Sequence, residues 1–219
     1  MRYVLMIAAL AALGACGRGV PEGARVVVAG DSVMAWNRID GQSVADVLSA
    51  RLGQSVGDVS LPLAQVAGGR GALNIPNQLR GVTADWIVLN GGANDLGVGC
   101  DCTDCDAVVD GLIGPDGQTG AIPALVKALR AKGSRVVWAD YYTSPRYAGT
   151  ACTGPYQTME DRLYRMAAAD DGISVVDMED VLTPDQTDLF DADRLHPSPA
   201  GSKRIGNLIA DQIPALAQP

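Results

Sequence analysis

The stretch from residue 25 to residue 32 reads Arg25-Val26-Val27-Val28-Ala29-Gly30-Asp31-Ser32. Its β-branched run is typical of a strand that is buried on both faces, as in a parallel sheet. Further short apolar runs predict strands of the same kind at 55–60, 86–89, 135–139 and 173–176. The first strand therefore leads directly into a turn that ends in a serine.

Amphipathic segments lie between these strands and predict helices at 43–52, 75–79, 122–132, 159–169 and 200–213. In the third segment, apolar side chains recur at helical spacing, the last turn is basic and Gly133 ends the pattern. The last helix follows Ser198-Pro199, a typical N-cap and first helical residue. Strands that alternate with helices predict an α/β domain with a parallel sheet.

The amino end is typical of a signal peptide. A basic start, Met1-Arg2, precedes an apolar run from Tyr3 to Leu13, which is shorter than the about 20 residues that a membrane span requires. The run ends in Leu-Gly-Ala-Cys16, which resembles the bacterial lipobox, whose cysteine becomes the lipidated first residue. An ordinary secretory signal is the alternative. We therefore expect a signal peptide at 1–15, a tether at 16–24 and one domain at 25–219, exported to the bacterial cell envelope or periplasm and anchored to the membrane through Cys16.

The charge balance excludes one class of partner. The 219 residues include 17 Lys and Arg against 25 Asp and Glu, a formal net charge of −8, with no cluster of basic residues. Nucleic acid is therefore not an expected partner, because its binding depends on clustered cations. The sequence also contains no Walker loop and no complete G-x-G-x-x-G after a strand, so nucleotide binding is not predicted. Nothing in the residues predicts an oligomeric state.

Apart from Cys16, the cysteines are Cys100, Cys102, Cys105 and Cys152. An even number in an exported protein favours two disulfides, for which three pairings are possible. A four-thiolate zinc site is the alternative, disfavoured because an oxidising compartment competes for the thiols. The aspartates between these cysteines (Asp101, Asp104 and Asp106) could suggest a calcium loop, but they lack its spacing, and a solvated acidic loop is the favoured interpretation.

The only histidine of the chain, His196, lies in the segment Asp193-Arg194-Leu195-His196-Pro197. A nucleophilic serine needs a base, and with one histidine available that base is His196. Asp193, three residues earlier in a turn, can bend back to the Nδ1 atom of the imidazole and leave Nε2 to face a serine. A third polar segment, Gly91-Gly92-Ala93-Asn94-Asp95, follows the strand at 86–89. Ligands of parallel sheets bind at the carboxyl ends of the strands, where all three segments fall. We expect Asp31 and Asp95 to hold loops through bonds to backbone N–H groups.

The three segments, in this order, resemble the SGNH or GDSL hydrolase family. The resemblance implies a three-layer α/β/α sandwich, flavodoxin-like, with about five parallel strands. It also implies that Ser32 is the nucleophile, that His196 is the general base and then acid, and that Asp193 orients the imidazole. The oxyanion hole would consist of the Ser32 N–H, a loop glycine N–H and the Asn94 amide. For the glycine, Gly68 aligns best and Gly69 is close behind. This segment lacks the asparagine that some members carry shortly before the glycine.

These residues predict a serine esterase that acts through an acyl-enzyme on lipid-like acyl esters or acetyl esters. Such chemistry requires no metal and no organic cofactor. Two alternatives stay open: an acyltransferase that delivers the acyl group to envelope glycans with the same triad, and a catalytically silent lipoprotein that binds a ligand. The acyltransferase would need a cleft that excludes water. The silent protein would have no physical reason to retain Ser32, Asp193, His196 and Asn94 together.

Overall fold

The computed structural model of the chain describes residues 19–100 and 102–214. The predicted signal peptide, Cys16 and Asp101 lie outside the described residues. Within them, no helix is long and apolar enough to cross a membrane.

The described residues form one sheet of five parallel strands in the order β2-β1-β3-β4-β5. The strands are β1 (Val26–Ala29), β2 (Val56–Asp58), β3 (Trp86–Leu89), β4 (Arg135–Ala139) and β5 (Ile173–Val176). β1 lies between β2 and β3, with Val28 opposite Asp58 on one side and Val88 on the other. The five predicted strands are confirmed. The chain adds β2 on one side of β1 and then β3 on the other, and this reversal of strand order places the carboxyl end of β1 at the crevice where parallel sheets bind ligands.

Helices connect the strands. They are α1 (Ser32–Ala35), α2 (Val44–Leu52), α3 (Ile75–Gln78), α4 (Ala93–Gly99), α5 (Asp106–Leu112), α6 (Ala121–Ala131), α7 (Thr153–Ala167) and α8 (Pro199–Ala210). Three short 3₁₀ turns lie at 71–73, 178–180 and 187–189. Ser198 caps α8 through the Gly201 N–H, with Pro199 as the first helical residue, as predicted.

Each strand alternates its side chains between two apolar cores. Val27, Ile87 and Trp138 face the core that is covered by α3 to α7, whereas Val28, Val88 and Val137 face the core that is covered by α1, α2 and α8. All six are fully buried. Helices on both faces of one parallel sheet make the three-layer α/β/α sandwich that the sequence predicts.

Four helices differ from the prediction. The segment predicted at 159–169 begins six residues earlier, at Thr153, although Gly154 and Pro155 are poor helix formers. Both lie in the first turn, where Pro155 sacrifices no helical hydrogen bond because the first N–H groups have no intrahelical partner. The periodicity of the sequence did not predict α1, α4 and α5, which have only 4, 7 and 7 residues and are too short for a recurring apolar pattern.

The four cysteines form two disulfides, so the zinc alternative is wrong. Cys100 pairs with Cys105, and Cys102 pairs with Cys152 across 50 residues of chain. The second bond ties the segment after α4 to the start of α7.

Candidate active site

Ser32 is the first residue of α1 and lies directly after the carboxyl end of β1. Asp31 is the N-cap, and its Oδ1 accepts a hydrogen bond from the Val33 N–H at 3.0 Å. The cap turns the chain sharply out of the sheet. As the first helical residue, Ser32 has an N–H with no intrahelical acceptor.

A buried network fixes this turn. The Asp31 N–H donates to Asn90 Oδ1 at 3.0 Å, and Asn90 Nδ2 donates back to Asp31 Oδ1 at 2.8 Å. The Tyr141 hydroxyl donates to Asp31 Oδ2. Burial raises the pKa of Asp31, although the hydrogen bonds from Tyr141 and Asn90 oppose this rise. The predicted role of Asp31 in holding its loop is confirmed.

Gly30 is required by the same turn. Its φ is 142°, and a Cβ at this position would lie 2.0 Å from Asn90 Oδ1. A larger residue would displace the amide that positions Asp31.

His196 lies between the serine and an acid. Its Nε2 is 2.9 Å from Ser32 Oγ, and its Nδ1 is 2.5 Å from Asp193 Oδ2. Asp193 Oδ1 accepts the backbone N–H groups of Leu195 at 2.9 Å and of His196 at 3.0 Å. With a proton on Nδ1 held by the carboxylate, Nε2 has a free lone pair for the serine hydroxyl.

The ionisation of Asp193 suits this arrangement. Burial raises its pKa, but the hydrogen bonds from the His196 backbone and imidazole and from the Leu195 backbone outweigh burial, so the pKa lies below its ordinary value. The acid is therefore a carboxylate at neutral pH.

Trp36 forms one wall against the imidazole. Its ring stacks on His196 with centroids 3.8 Å apart and planes 8° apart, and its Nε1 donates to Asp191 Oδ2 at 2.9 Å. The stack restricts rotation of the imidazole. Trp36 was not predicted as a site residue from the sequence, although it follows Ser32 by one helical turn.

Asn94 lies in the first turn of α4, at the carboxyl end of β3. Its Nδ2 donates to the Ala64 carbonyl at 2.9 Å, which leaves one hydrogen of the amide for another acceptor. The neighbouring Ala93 N–H donates to the Tyr141 hydroxyl at 3.3 Å. Tyr141 therefore bridges the loop of Asn94 and the turn of Ser32. Its position after β4, at the same edge of the sheet, was the signal that could have found it.

The structure does not bring Gly68 to the cavity that Ser32 and His196 line. Its N–H donates to Asp95 Oδ1 at 3.1 Å, and the same carboxylate accepts the N–H groups of Val66 at 2.8 Å and Ala67 at 2.9 Å. The predicted role of Asp95 in holding a loop is confirmed, and it engages the amide that was predicted for the oxyanion. Gly69, the second choice, is likewise not among the residues that line the cavity.

Leu63 reaches the cavity instead. It lies between Ser60 and Ala64, lines the same space as Ser32 and Asn94, and has a φ of 65°. Such a left-handed conformation is uncommon for a leucine. Within the described part of the chain, the Leu63 N–H has no hydrogen-bond acceptor. No residue-type pattern marks this position, because the strain resides in the backbone.

The cavity has a volume of about 490 Å³. Its floor contains Ser32 and His196, and aromatic or apolar side chains form much of its wall: Val33, Trp36, Leu63, Tyr147, Pro155 and Tyr156. Cys102 and Cys152 also line it, so the disulfide between them is part of the wall. The cysteine segment therefore contributes to the shape of the cleft.

The model of the GDSL-like lipase/acylhydrolase family matches residues 28–204. The chain belongs to that family, and it is therefore a hydrolase. Its Gly-Asp-Ser turn, Asn94 segment and Asp193–His196 segment all lie within the matched range.

Solved structures share the fold. The chain is 20% identical to TesA, with a TM-score of 0.62 over 87% of this chain and 99% of that one. It is 16% identical to a lipolytic protein of the G-D-S-L family from Veillonella parvula, with a TM-score of 0.65 over 87% and 98%. A family two carbohydrate esterase from Clostridium thermocellum is 14% identical, with a TM-score of 0.62. The match covers 87% of this chain but only 63% of that esterase. No curated protein matches the sequence.

Proposed function

We propose that the protein is a serine esterase in which Ser32 attacks an ester carbonyl and forms an acyl-enzyme. The observation that supports this most directly is the continuous chain of contacts from Ser32 Oγ to His196 Nε2 and from His196 Nδ1 to Asp193. His196 takes the serine proton during attack and returns it to the leaving alcohol. Water, activated by the same imidazole, then releases the acid.

The oxyanion is stabilised by the Ser32 N–H, the Leu63 N–H and the Asn94 side-chain amide. This assignment replaces Gly68 with Leu63, because Leu63 lines the cavity and its amide has no acceptor in the described part of the chain, whereas the Gly68 amide is bonded to Asp95. Preorganised donors of this kind are effective because they need no reorganisation when charge develops on the oxygen.

The substrate is an ester with an apolar acyl group. A cavity of about 490 Å³ falls in the size range of small-molecule sites. Its wall of Leu63, Pro155 and Tyr156 offers apolar surface to an acyl chain and no cation to an acidic one. Transfer of the acyl group to an envelope glycan would use the same residues, and product analysis with and without a sugar acceptor separates the two reactions.

The test is hydrolysis of p-nitrophenyl esters from acetate to long acyl chains by a form lacking residues 1–16. Ser32→Ala should lower kcat by at least about 10⁴-fold, because it removes the nucleophile. Ser55→Ala, an exposed serine outside the cavity, is the matched control and should retain activity. Full activity in Ser32→Ala would exclude the mechanism. A folded protein that hydrolyses no ester and resists a serine-directed phosphonate would instead support a ligand-binding role.

The proposed location is the bacterial cell envelope, with the chain anchored through a lipid on Cys16. The two disulfides support export, because such bonds persist in oxidising compartments. Metabolic labelling with a radioactive fatty acid should mark the wild-type protein and not Cys16→Ala. Equal labelling of both would rule out an anchor at this cysteine.

A further inference from the structure

Three carboxylates outside the serine site meet at the carboxyl ends of β4 and β5. One oxygen each from Asp140, Glu160 and Asp177 lies within 4.8 Å of the other two. Asp140 follows β4, Asp177 follows β5 and Glu160 projects from α7. The strand pairing brings the two aspartates together, because Ala139 and Val176 are opposite each other in the sheet.

Asp140 is the buried member of the group. Its side chain is 1% exposed, and its Oδ1 accepts the Met178 N–H at 2.9 Å. Its Oδ2 is equally inaccessible and has no hydrogen-bond partner among the described residues. A buried carboxylate oxygen without a partner is costly, so its retention points to a ligand.

The surroundings concentrate negative charge. Asp177, Glu160 and Asp180 lie close enough to Asp140 to interact with it electrostatically. Among the described residues, the ion pairs of the arginines lie elsewhere in the molecule, at Arg25–Asp85, Arg38–Asp58, Arg51–Asp211, Arg130–Asp170 and Arg162–Asp110. Among the residues that the structure describes, no Lys or Arg forms an ion pair with Asp140, Glu160 or Asp177, so these carboxylates lack the cation that usually accompanies such a group.

We propose that Asp140, Glu160 and Asp177 bind a calcium ion. Carboxylate oxygens are the preferred ligands of this hard cation, which binds them at about 2.3–2.6 Å. Two oxygens on opposite sides of one calcium ion are then about 5 Å apart, which accommodates the observed separations. Magnesium binds at about 2.0–2.1 Å and requires a tighter octahedron. Asp177 Oδ1 accepts the Glu179 N–H at 2.7 Å, so its other oxygen is available to the ion.

The ion fastens α7 to the strand ends. Glu160 lines the cavity, and the same helix contributes Pro155 and Tyr156 to the cavity wall. The site therefore braces the helix that forms this wall, in addition to the disulfide at the start of that helix. It takes no part in the proposed ester hydrolysis, because neither Ser32 nor His196 contacts these carboxylates in the described structure.

The experiment measures calcium binding by the chelator-stripped protein, through equilibrium dialysis against ⁴⁵Ca²⁺ and through thermal unfolding. We expect one ion per chain and a rise in Tm of about 5–10 °C at calcium concentrations 100-fold above Kd. Glu160→Gln should abolish both effects, since it removes a charged ligand from a partly exposed position. Asp161→Asn, its exposed neighbour on α7, is the matched control and should bind as the wild type does.

Absence of binding by the wild-type protein would overturn the proposal, as would undiminished binding by Glu160→Gln. An equal or greater response to Mg²⁺ would overturn the assignment to calcium. Because these measurements require no ester substrate, they stand or fall separately from the proposed esterase activity.

Discussion

At the scale of single residues, the ionisation of Asp193 makes the stability of the protein depend on pH. The pKa of this carboxyl is lowered by hydrogen bonds from His196 and Leu195, so its stabilising effect is present above its unfolded pKa of about 3.9 and is lost as the pH falls through the folded value. Asp193→Asn should therefore have a lower Tm than the wild type at pH 7, and the difference should shrink towards pH 3.

Thermal unfolding of both proteins across this range checks the prediction, and a Tm difference that is constant with pH would contradict it. The same substitution should lower kcat by about 10⁴-fold at pH 7, because an amide in this place favours the wrong imidazole tautomer.

Asn94 is the side chain through which the oxyanion hole can be tested. Asn94→Ala should lower kcat by about 100- to 1000-fold and change KM little, because the lost donor acts on charge that develops in the transition state. Steady-state kinetics with a p-nitrophenyl ester measure the effect. Asn207→Ala on α8 is the control, and a loss that appears mainly in KM would assign Asn94 to substrate binding instead.

At the scale of elements, the strands and the outer helices could be predicted, because burial imposes an apolar pattern on each of them. Trp86–Leu89 and Ile122–Leu129 are examples in which the pattern alone defines the element. The positions of Ser32, Asn94 and His196 at one edge follow from the parallel sheet. The loops between them do not follow from periodicity.

The proposed oxyanion hole shows why the loops could not be predicted, because its backbone donor is Leu63 rather than Gly68. Glycine is the residue that is expected where the backbone has a positive φ. Here Leu63 adopts this conformation, which the surrounding loop enforces. Likewise, the amide of Gly68 is engaged by Asp95 from a different strand end, 27 residues away in the chain. Such tertiary competition for a backbone N–H has no local signature.

The two disulfides should differ in their contribution to stability. Closing a loop of 50 residues, Cys102–Cys152 should contribute about 4 kcal/mol by chain entropy, and Cys100–Cys105, which closes a loop of 5, about 2 kcal/mol. Urea unfolding of the two double serine variants measures both values, each serving as the control for the other. A larger loss from opening the short loop would show that local structure, rather than chain entropy, governs this region.

At the scale of the whole molecule, the net charge of −8 should select against anionic esters. Glu179 lines the cavity and adds to this field. The Debye length falls from about 30 Å at 0.01 M salt to about 8 Å at 0.15 M, so repulsion of an anionic ester weakens over this range. Its KM, relative to that of a neutral ester of the same size, should therefore decrease as salt is added.

Steady-state assays of the two esters at both ionic strengths provide the comparison, with the neutral ester as internal control. A KM ratio that does not change with salt would indicate that the electrostatic field of the molecule does not affect substrate binding at the cavity.

The stack of Trp36 on His196 also allows the site to be observed by tryptophan fluorescence. Protonated imidazole quenches indole emission on contact, and the chain has one histidine and only three tryptophans. Trp86 and Trp138 are buried in the two cores. The fluorescence of Trp36 therefore reports on the only histidine of the chain in the resting enzyme, without a substrate, a label or a turnover.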